Sequence, residues 1–147
     1  MDAPLSCHFR MHQFHSTSGL LSLKALFPAA TFVGAPDIAV DRVVEDSRAV
    51  TPGCLYAAMP GTTTHGREYV HEALQGGAAA ILSDGPLAGL SVPHCIVPDA
   101  RRAYGELCHA LHFHPSEKLG MVGVTGTNGK TTITWLVRSL LERCGRP

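Results

Sequence analysis

One run, Gly123-Val124-Thr125-Gly126-Thr127-Asn128-Gly129-Lys130-Thr131-Thr132, constrains this chain more than any other. An apolar stretch, Met121 to Val124, leads into it. Ile133, Leu136, Val137, Leu140, Leu141 and Cys144 leave it at helical spacing. Strand, glycine loop and helix, in that order, are the setting a phosphate-binding loop needs. Glycines at 126 and 129 permit backbone conformations that a Cβ would block. The loop N–H groups can then turn inward around a phosphate. The helix start adds unpaired N–H groups and the positive end of its dipole. Lys130 brings a cation to the β- and γ-phosphates, and Thr131 offers a hydroxyl to Mg²⁺. The spacing departs from the strict G-x-x-x-x-G-K-[ST] pattern: Val124 fills the first slot, and Gly123 lies one place earlier. An ordinary glycine-rich turn is the competing reading. The agreement of Gly-Lys-Thr-Thr with both the strand and the helix argues against it.

The 147 residues allow one domain, or a small domain plus a further piece. Charged residues are 16% of the chain, the formal charge is zero, and no basic stripe stands out, so a nucleic-acid partner is not expected. No apolar run reaches the roughly 18 residues of a membrane span. Met1 to Ser18 lacks the basic and apolar segments of a secretory signal. Cys7, Cys54, Cys95, Cys108 and Cys144 are odd in number and never spaced C-x-x-C, which suits reduced thiols in the cytoplasm.

Residues 1–19 read as a poorly ordered leader. His8, His12 and His15 could share a helical face there, without a carboxylate to support a metal site. A short helix is expected over Leu20–Phe27, ended by Pro28. Strands are expected over Ile38–Val44, Cys54–Met59, Ala78–Leu82 and His94–Val97. Helices are expected over Glu68–Gln75, stopped by Gly76-Gly77, and over Ala100–Phe113, capped by Asp99. His109, His112 and His114 read as solvated or capping groups at the end of that helix. Residues 115–119 read as a linker. The fold class is therefore α/β. A small first domain spans 20–114, followed by the first strand, phosphate loop and helix of an incomplete nucleotide-binding α/β domain at 120–147.

The loop Gly-Thr-Asn-Gly-Lys-Thr-Thr resembles the ATP loop of the Mur ligase family. Further segments are similar to the MurE-type N-terminal domain: Asp46-Ser47-Arg48, the Pro52-Gly53 turn, Leu55-Tyr56-Ala57-Ala58, Gly61, His65-Gly66-Arg67, Val97-Pro98-Asp99-Ala100-Arg101-Arg102-Ala103, and His114-Pro115-Ser116. The resemblance covers about residues 20–147. It departs at His65, where family members commonly carry Asp.

The resemblance implies an ATP- and Mg²⁺-dependent ligase of peptidoglycan precursors. Its substrates would be UDP-N-acetylmuramoyl-dipeptide and a diamino acid, joined through an acyl phosphate. No nucleic acid or membrane partner is implied, and a monomer is expected. Gly126, Thr127, Asn128, Gly129, Lys130, Thr131 and Thr132 would hold ATP phosphates. Lys130 would be catalytic, and Thr131 would reach Mg²⁺ through its hydroxyl. Ser47 would hydrogen-bond the diphosphate or the uracil region, or else merely stabilise its turn. Thr62, Thr63 and Thr64 would supply the other uridine contacts. Arg48 could grip a phosphate or brace Asp46 or Glu45. The family's later metal ligands and amino-acid pocket fall beyond residue 147, so the chain alone is expected to lack full activity. A UDP-precursor-binding module, or a relative of the MurF, cyanophycin or folylpolyglutamate ligases, is the alternative. With its sheet neighbours missing, the face of Ile133, Leu136, Val137 and Leu140 should be poorly buried.

Overall fold

A computed structural model describes residues 19–145. The leader reading, with His8, His12, His15 and Cys7, lies outside the described residues apart from Gly19. The chain divides into two compact units, Met1–His114 and Pro115–Pro147.

In the first unit the described strands are β1 (Leu21–Ser22), β2 (Thr31–Val33), β3 (Ala39–Val40), β4 (Val43–Val44), β5 (Leu55–Ala58), β6 (Ala80–Ser83) and β7 (His94–Ile96). The helices are α1 (Leu23–Leu26), α2 (Val70–Gln75) and α3 (Ala100–Leu111). Five strands form one sheet in the order β2-β7-β6-β5-β4. β4, β5, β6 and β7 run parallel, and β2 closes the β7 edge antiparallel. β1 and β3 form a separate antiparallel pair.

Every residue of β5 and β6 is buried. Alternate side chains point to opposite faces of a strand, and here both faces are covered. Leu55, Ala57, Ala80, Leu82 and Cys95 pack with Ala103, Leu107 and Ala110 of α3 and with Leu21, Leu23, Ile38 and Val40. Tyr56, Ala58 and Ile81 pack with Val70 and Ala73 of α2. Near-continuous apolar runs are what a parallel strand between two layers requires.

Local chemistry sets the ends. The Asp99 carboxylate caps α3 by accepting from the Arg102 N–H at 2.9 Å. Asp37 accepts from the Ser22 hydroxyl at 2.6 Å and from the amides of Lys24 and Ile38 at 2.9 and 2.7 Å, tying α1 to β3. Three expectations shift, and one strand is new. The helix over Leu20–Phe27 begins as a strand, because Leu21 and Ser22 pair with Val40 and Ala39. The strand over Ile38–Val44 splits between two sheets. The helix over Glu68–Gln75 opens as a 3₁₀ turn, Gly66–Tyr69. β2 was not expected; at three residues it is too short for its pattern to signal a strand.

The second unit holds α4 (Pro115–Lys118), where a linker was expected, and α5 (Lys130–Arg143). The expected first strand, Met121 to Val124, does not form. A strand exists by pairing, and among the described residues none pairs with this segment. α5 buries no residue. Ile133, Leu136 and Leu140 are 46%, 60% and 63% exposed and Val137 is half-buried, as expected for a helix without its sheet.

One buried ionisable group makes the first unit sensitive to acid. His94 is 2% exposed. Ser83 donates its single hydrogen to the Gly85 carbonyl at 2.6 Å. The 2.7 Å contact to His94 must therefore be Nε2–H donating to Ser83 Oγ. Burial, and then the nearby Arg67 guanidinium, lower the His94 pKa from its ordinary 6.5. The folded state thus favours neutral imidazole. Its contribution is complete above about pH 6.5 and is lost as the pH falls from there toward the lowered folded-state value, at no more than about 1.4 kcal/mol per pH unit. Urea unfolding at about pH 7.5 and about pH 5.5 tests this. His94→Gln, which keeps a donor for Ser83, should lose less stability across that interval than the wild type. Equal losses would remove His94 as the source.

Candidate functional site

A cleft of about 640 Å³ opens at the carboxyl ends of three parallel strands. β4 runs into Glu45–Arg48, β5 runs into Met59–Gly66, and β7 leads through Asp99 to Arg101. α2 contributes Glu72, and the 3₁₀ turn before it contributes Tyr69. Crevices at this end of a parallel sheet are the usual ligand sites of α/β folds.

The loop after β5 is shaped by two glycines. A Cβ on Gly66 would meet the Met59 amide nitrogen at 2.8 Å and its carbonyl oxygen at 2.9 Å. A Cβ on Gly61 would strike the Thr64 carbonyl. Both contacts are with backbone, which cannot yield cheaply. The Gly61 amide donates to that same carbonyl at 3.0 Å, which folds Thr62 and Thr63 into a tight turn. Thr62 and Thr64 line the cleft, and Thr63 is exposed outside the lining. The Thr64 hydroxyl lies 3.3 Å from the Tyr69 hydroxyl. Tyr56 donates to the Gly66 carbonyl at 3.0 Å. Burial, and then the charges of Asp46, Glu72 and Tyr69, push its phenol up to about 12, so it remains a donor at neutral pH.

His65 takes over the capping that an Asp would perform. Its Nδ1 accepts from the Arg67 N–H at 3.2 Å, and its Nε2 faces Asp84 Oδ2 at 3.5 Å. Arg67 bonds the other oxygen of Asp84 at 2.6 Å. None of these three groups lines the cleft.

Ser47 is only 9% exposed, and its hydroxyl donates to Glu72 Oε2 at 2.6 Å. Asp46 caps the 3₁₀ turn Ser47–Ala49 by accepting from the Arg48 N–H at 3.0 Å. Arg48 meets both oxygens of Asp46 through Nε and Nη2, at 2.9 and 2.8 Å. Of its two readings, bracing is what the structure shows. These hydrogen bonds to Arg48 hold the Asp46 carboxyl below its usual range. Arg101 donates to the Pro60 carbonyl. Tyr56, Tyr69, Glu72 and Arg101 were missed from sequence. Their approach to Ser47 and Thr64 depends on tertiary packing, and no local spacing signals it.

In the second unit, Gly126 and Gly129 have φ of 146° and 77°, in the region that favours glycine. Gly129 is the N-cap of α5 and offers no side chain to the first-turn amides. The Lys130 ammonium turns back over the loop onto the carbonyls of Gly126 and Thr127. Thr131 and Thr132 are exposed at the helix start. Thr134 shares its one hydroxyl hydrogen between the carbonyls of Lys130 and Thr131, at 3.1 and 2.8 Å. The structure thus gathers Gly126 to Thr132 around one helix N-terminus, an arrangement suited to an anion. Among the described residues, no group of three His, Cys, Asp or Glu is placed to hold a metal, and no helix is long and apolar enough to cross a membrane.

A family profile described as the Mur ligase family, catalytic domain, matches residues 40–112, from β3 to the end of α3. The chain is 41% identical over 113 residues to a UDP-N-acetylmuramoyl-L-alanyl-D-glutamate–2,6-diaminopimelate ligase of Geobacillus thermodenitrificans, covering 77% of this chain and 22% of that protein. It is 46% identical over 112 residues to a UDP-N-acetylmuramyl-tripeptide synthetase of Roseiflexus, covering 75% and 22%. The chain therefore spans about a fifth of the length of these curated relatives. Among solved structures, a UDP-N-acetylmuramoylalanyl-D-glutamyl-2,6-diaminopimelate–D-alanyl-D-alanyl ligase of Acinetobacter baumannii superposes with a TM-score of 0.61 at 25% identity, over 87% of this chain and 30% of the other. The MurF ligase of Thermotoga maritima, solved in complex with ADP, gives 0.51 at 26% identity, over 69% and 23%. The fold with its cleft, the matched profile and relatives above 40% identity agree: this chain belongs to the Mur ligase family.

Proposed function

We propose that the chain carries the UDP-precursor lobe and the ATP loop of a ligase that adds a diamino acid to UDP-N-acetylmuramoyl-L-alanyl-D-glutamate. The observation that carries this reading is the cleft at the carboxyl ends of β4, β5 and β7, with Ser47, Thr62 and Thr64 on its walls. Hydroxyls there suit the carbonyl, N–H and ribose groups of a uridine. Thr63, in the same turn, is the outermost of the proposed contacts.

The loop residues fit a nucleotide polyphosphate. Amides from Gly126, Thr127, Asn128, Gly129, Lys130, Thr131 and Thr132 would hold it, and Lys130 would neutralise its charge. The Thr131 hydroxyl would join the Mg²⁺ shell, and the nucleotide's own oxygens and water would supply the rest. ATP, when bound, supplies activation of the precursor's free carboxylate for attack by the amino acid's amine. The protein contributes positioning and charge compensation. The free cysteines Cys54, Cys95, Cys108 and Cys144 favour a reducing, cytoplasmic setting, and we read the chain as a monomer.

The contrast between the units favours a second reading, a precursor-binding module without ligation. The first unit has a layered core, whereas α5 buries no residue. Binding of ATP–Mg²⁺ separates the two readings: the ligase reading requires it, and precursor binding without it favours the module.

Calorimetric titration of the whole chain with UDP should show saturable binding. Ser47→Ala or Thr64→Val should each weaken it about five- to twenty-fold, the size of one or two lost hydrogen bonds. No binding of UDP by folded protein would reject the reading. ATP–Mg²⁺ should perturb the fluorescence of Trp135, which lies in α5. Lys130→Met should weaken that response at least about ten-fold, as loss of a charge-assisted contact implies. An unchanged response would free Lys130 from phosphate binding.

A further inference from the structure

A hydroxyl has one hydrogen to give and two lone pairs with which to accept. Ser47 gives its hydrogen to Glu72 Oε2 at 2.6 Å. Only lone pairs remain for anything in the cleft. A phosphate or carbonyl oxygen can only accept, so it gains nothing from Ser47. An N–H or O–H group does.

Charge points the same way. Around Ser47 the cleft walls carry the carboxylates of Glu45, Asp46 and Glu72 against the guanidiniums of Arg48 and Arg101. Arg48 is doubly bonded to Asp46, and Arg101 is bonded to the Pro60 carbonyl. A diphosphate here would meet three carboxylates against two guanidiniums, one of them already paired with Asp46, so the local balance is against a second anion.

We propose that Glu72 is a positioning residue that fixes Ser47 as a hydrogen-bond acceptor. This end of the cleft then takes the donor-bearing part of a uridine nucleotide, its base or ribose, and not its phosphates. The proposal rests on the uridine reading above; it adds which end lies here and which residue decides it.

The test is calorimetric titration of the whole chain with UDP and with N3-methyl-UDP, 2′-deoxy-UDP and 3′-deoxy-UDP, each lacking one donor. One of the three is expected to bind wild type about ten-fold more weakly than UDP, as one lost hydrogen bond implies. That ratio should fall toward one in Ser47→Ala and shrink at least about three-fold in Glu72→Ala. Glu72→Ala should have no further effect on that ratio in a Ser47→Ala background, because it acts on the ratio through that hydroxyl. If all three analogues bind wild type as UDP does, or if Glu72→Ala leaves the ratio intact, the proposal falls while uridine binding stands. If UDP itself does not bind, the uridine reading fails and takes this assignment with it. The hydroxyl also has a ligand-free readout. Its proton should give a slowly exchanging NMR resonance in wild type that is absent from Glu72→Ala. Exchange in wild type as fast as at a solvated serine would overturn the proposal.

Discussion

The first unit depends on one constraint: β5 and β6 have no face left for water. Leu55, Tyr56, Ile81 and Leu82 are each at most 1% exposed. Burying side chains of this size is worth about 1.5–3 kcal/mol apiece before entropy is counted. That return needs a layer on each side, and α3 and α2 provide them. Once the parallel strands are held between two layers, their carboxyl ends must open at the same edge. Glu45–Arg48, Met59–Gly66 and Arg101 meet there because their strands run parallel, although they lie up to 56 residues apart in the chain. The cleft is thus a consequence of the core. Its polar groups can serve a ligand because the apolar residues beneath them carry the stability.

The second unit shows what happens without that constraint. Its helix has the correct apolar periodicity, yet among the described residues no strand pairs with 121–124 and no side chain of α5 is buried. Periodicity states which face a helix would bury and says nothing about whether a partner is present. The loop itself is less affected. Left-handed Gly129 and the turned-back Lys130 are local features that need only a few residues on either side.

This division explains what the sequence made legible. β5 and β6 could be read from apolar runs bounded by Pro-Gly and Gly-Gly, and α3 from Asp99 and its helical spacing. Ser47, Thr62 and Thr64 could be placed through a family likeness, and the structure gathers them around one cleft. Legibility ended wherever a partner far along the chain decides the outcome. Ile38–Val44 is one apolar stretch, but Val40 pairs with Leu21 and Val43 pairs with Leu55, so it is divided between two sheets. Glu72 resembles any solvated carboxylate on a short helix. Its meaning comes from Ser47, 25 residues earlier.

That pairing also explains why residue type alone left the role of Ser47 open. A serine beside a nucleotide can donate to a phosphate or accept from a base, and its sequence context is the same in either case. The choice is made by whichever group holds the hydroxyl hydrogen first. A carboxylate at 2.6 Å is a stronger claimant than water or a neutral carbonyl, because the bond is charge-assisted. Arg48 obeys the same logic with the sign reversed. A free guanidinium would draw a diphosphate toward Ser47, but Asp46 accepts from both of its forward nitrogens. Asp46 and Glu72 thereby occupy the Arg48 guanidinium and the Ser47 hydroxyl, two groups that would otherwise suit a phosphate. What remains around Ser47 is a polar wall that favours uncharged donors, which places the anionic part of any nucleotide away from this point.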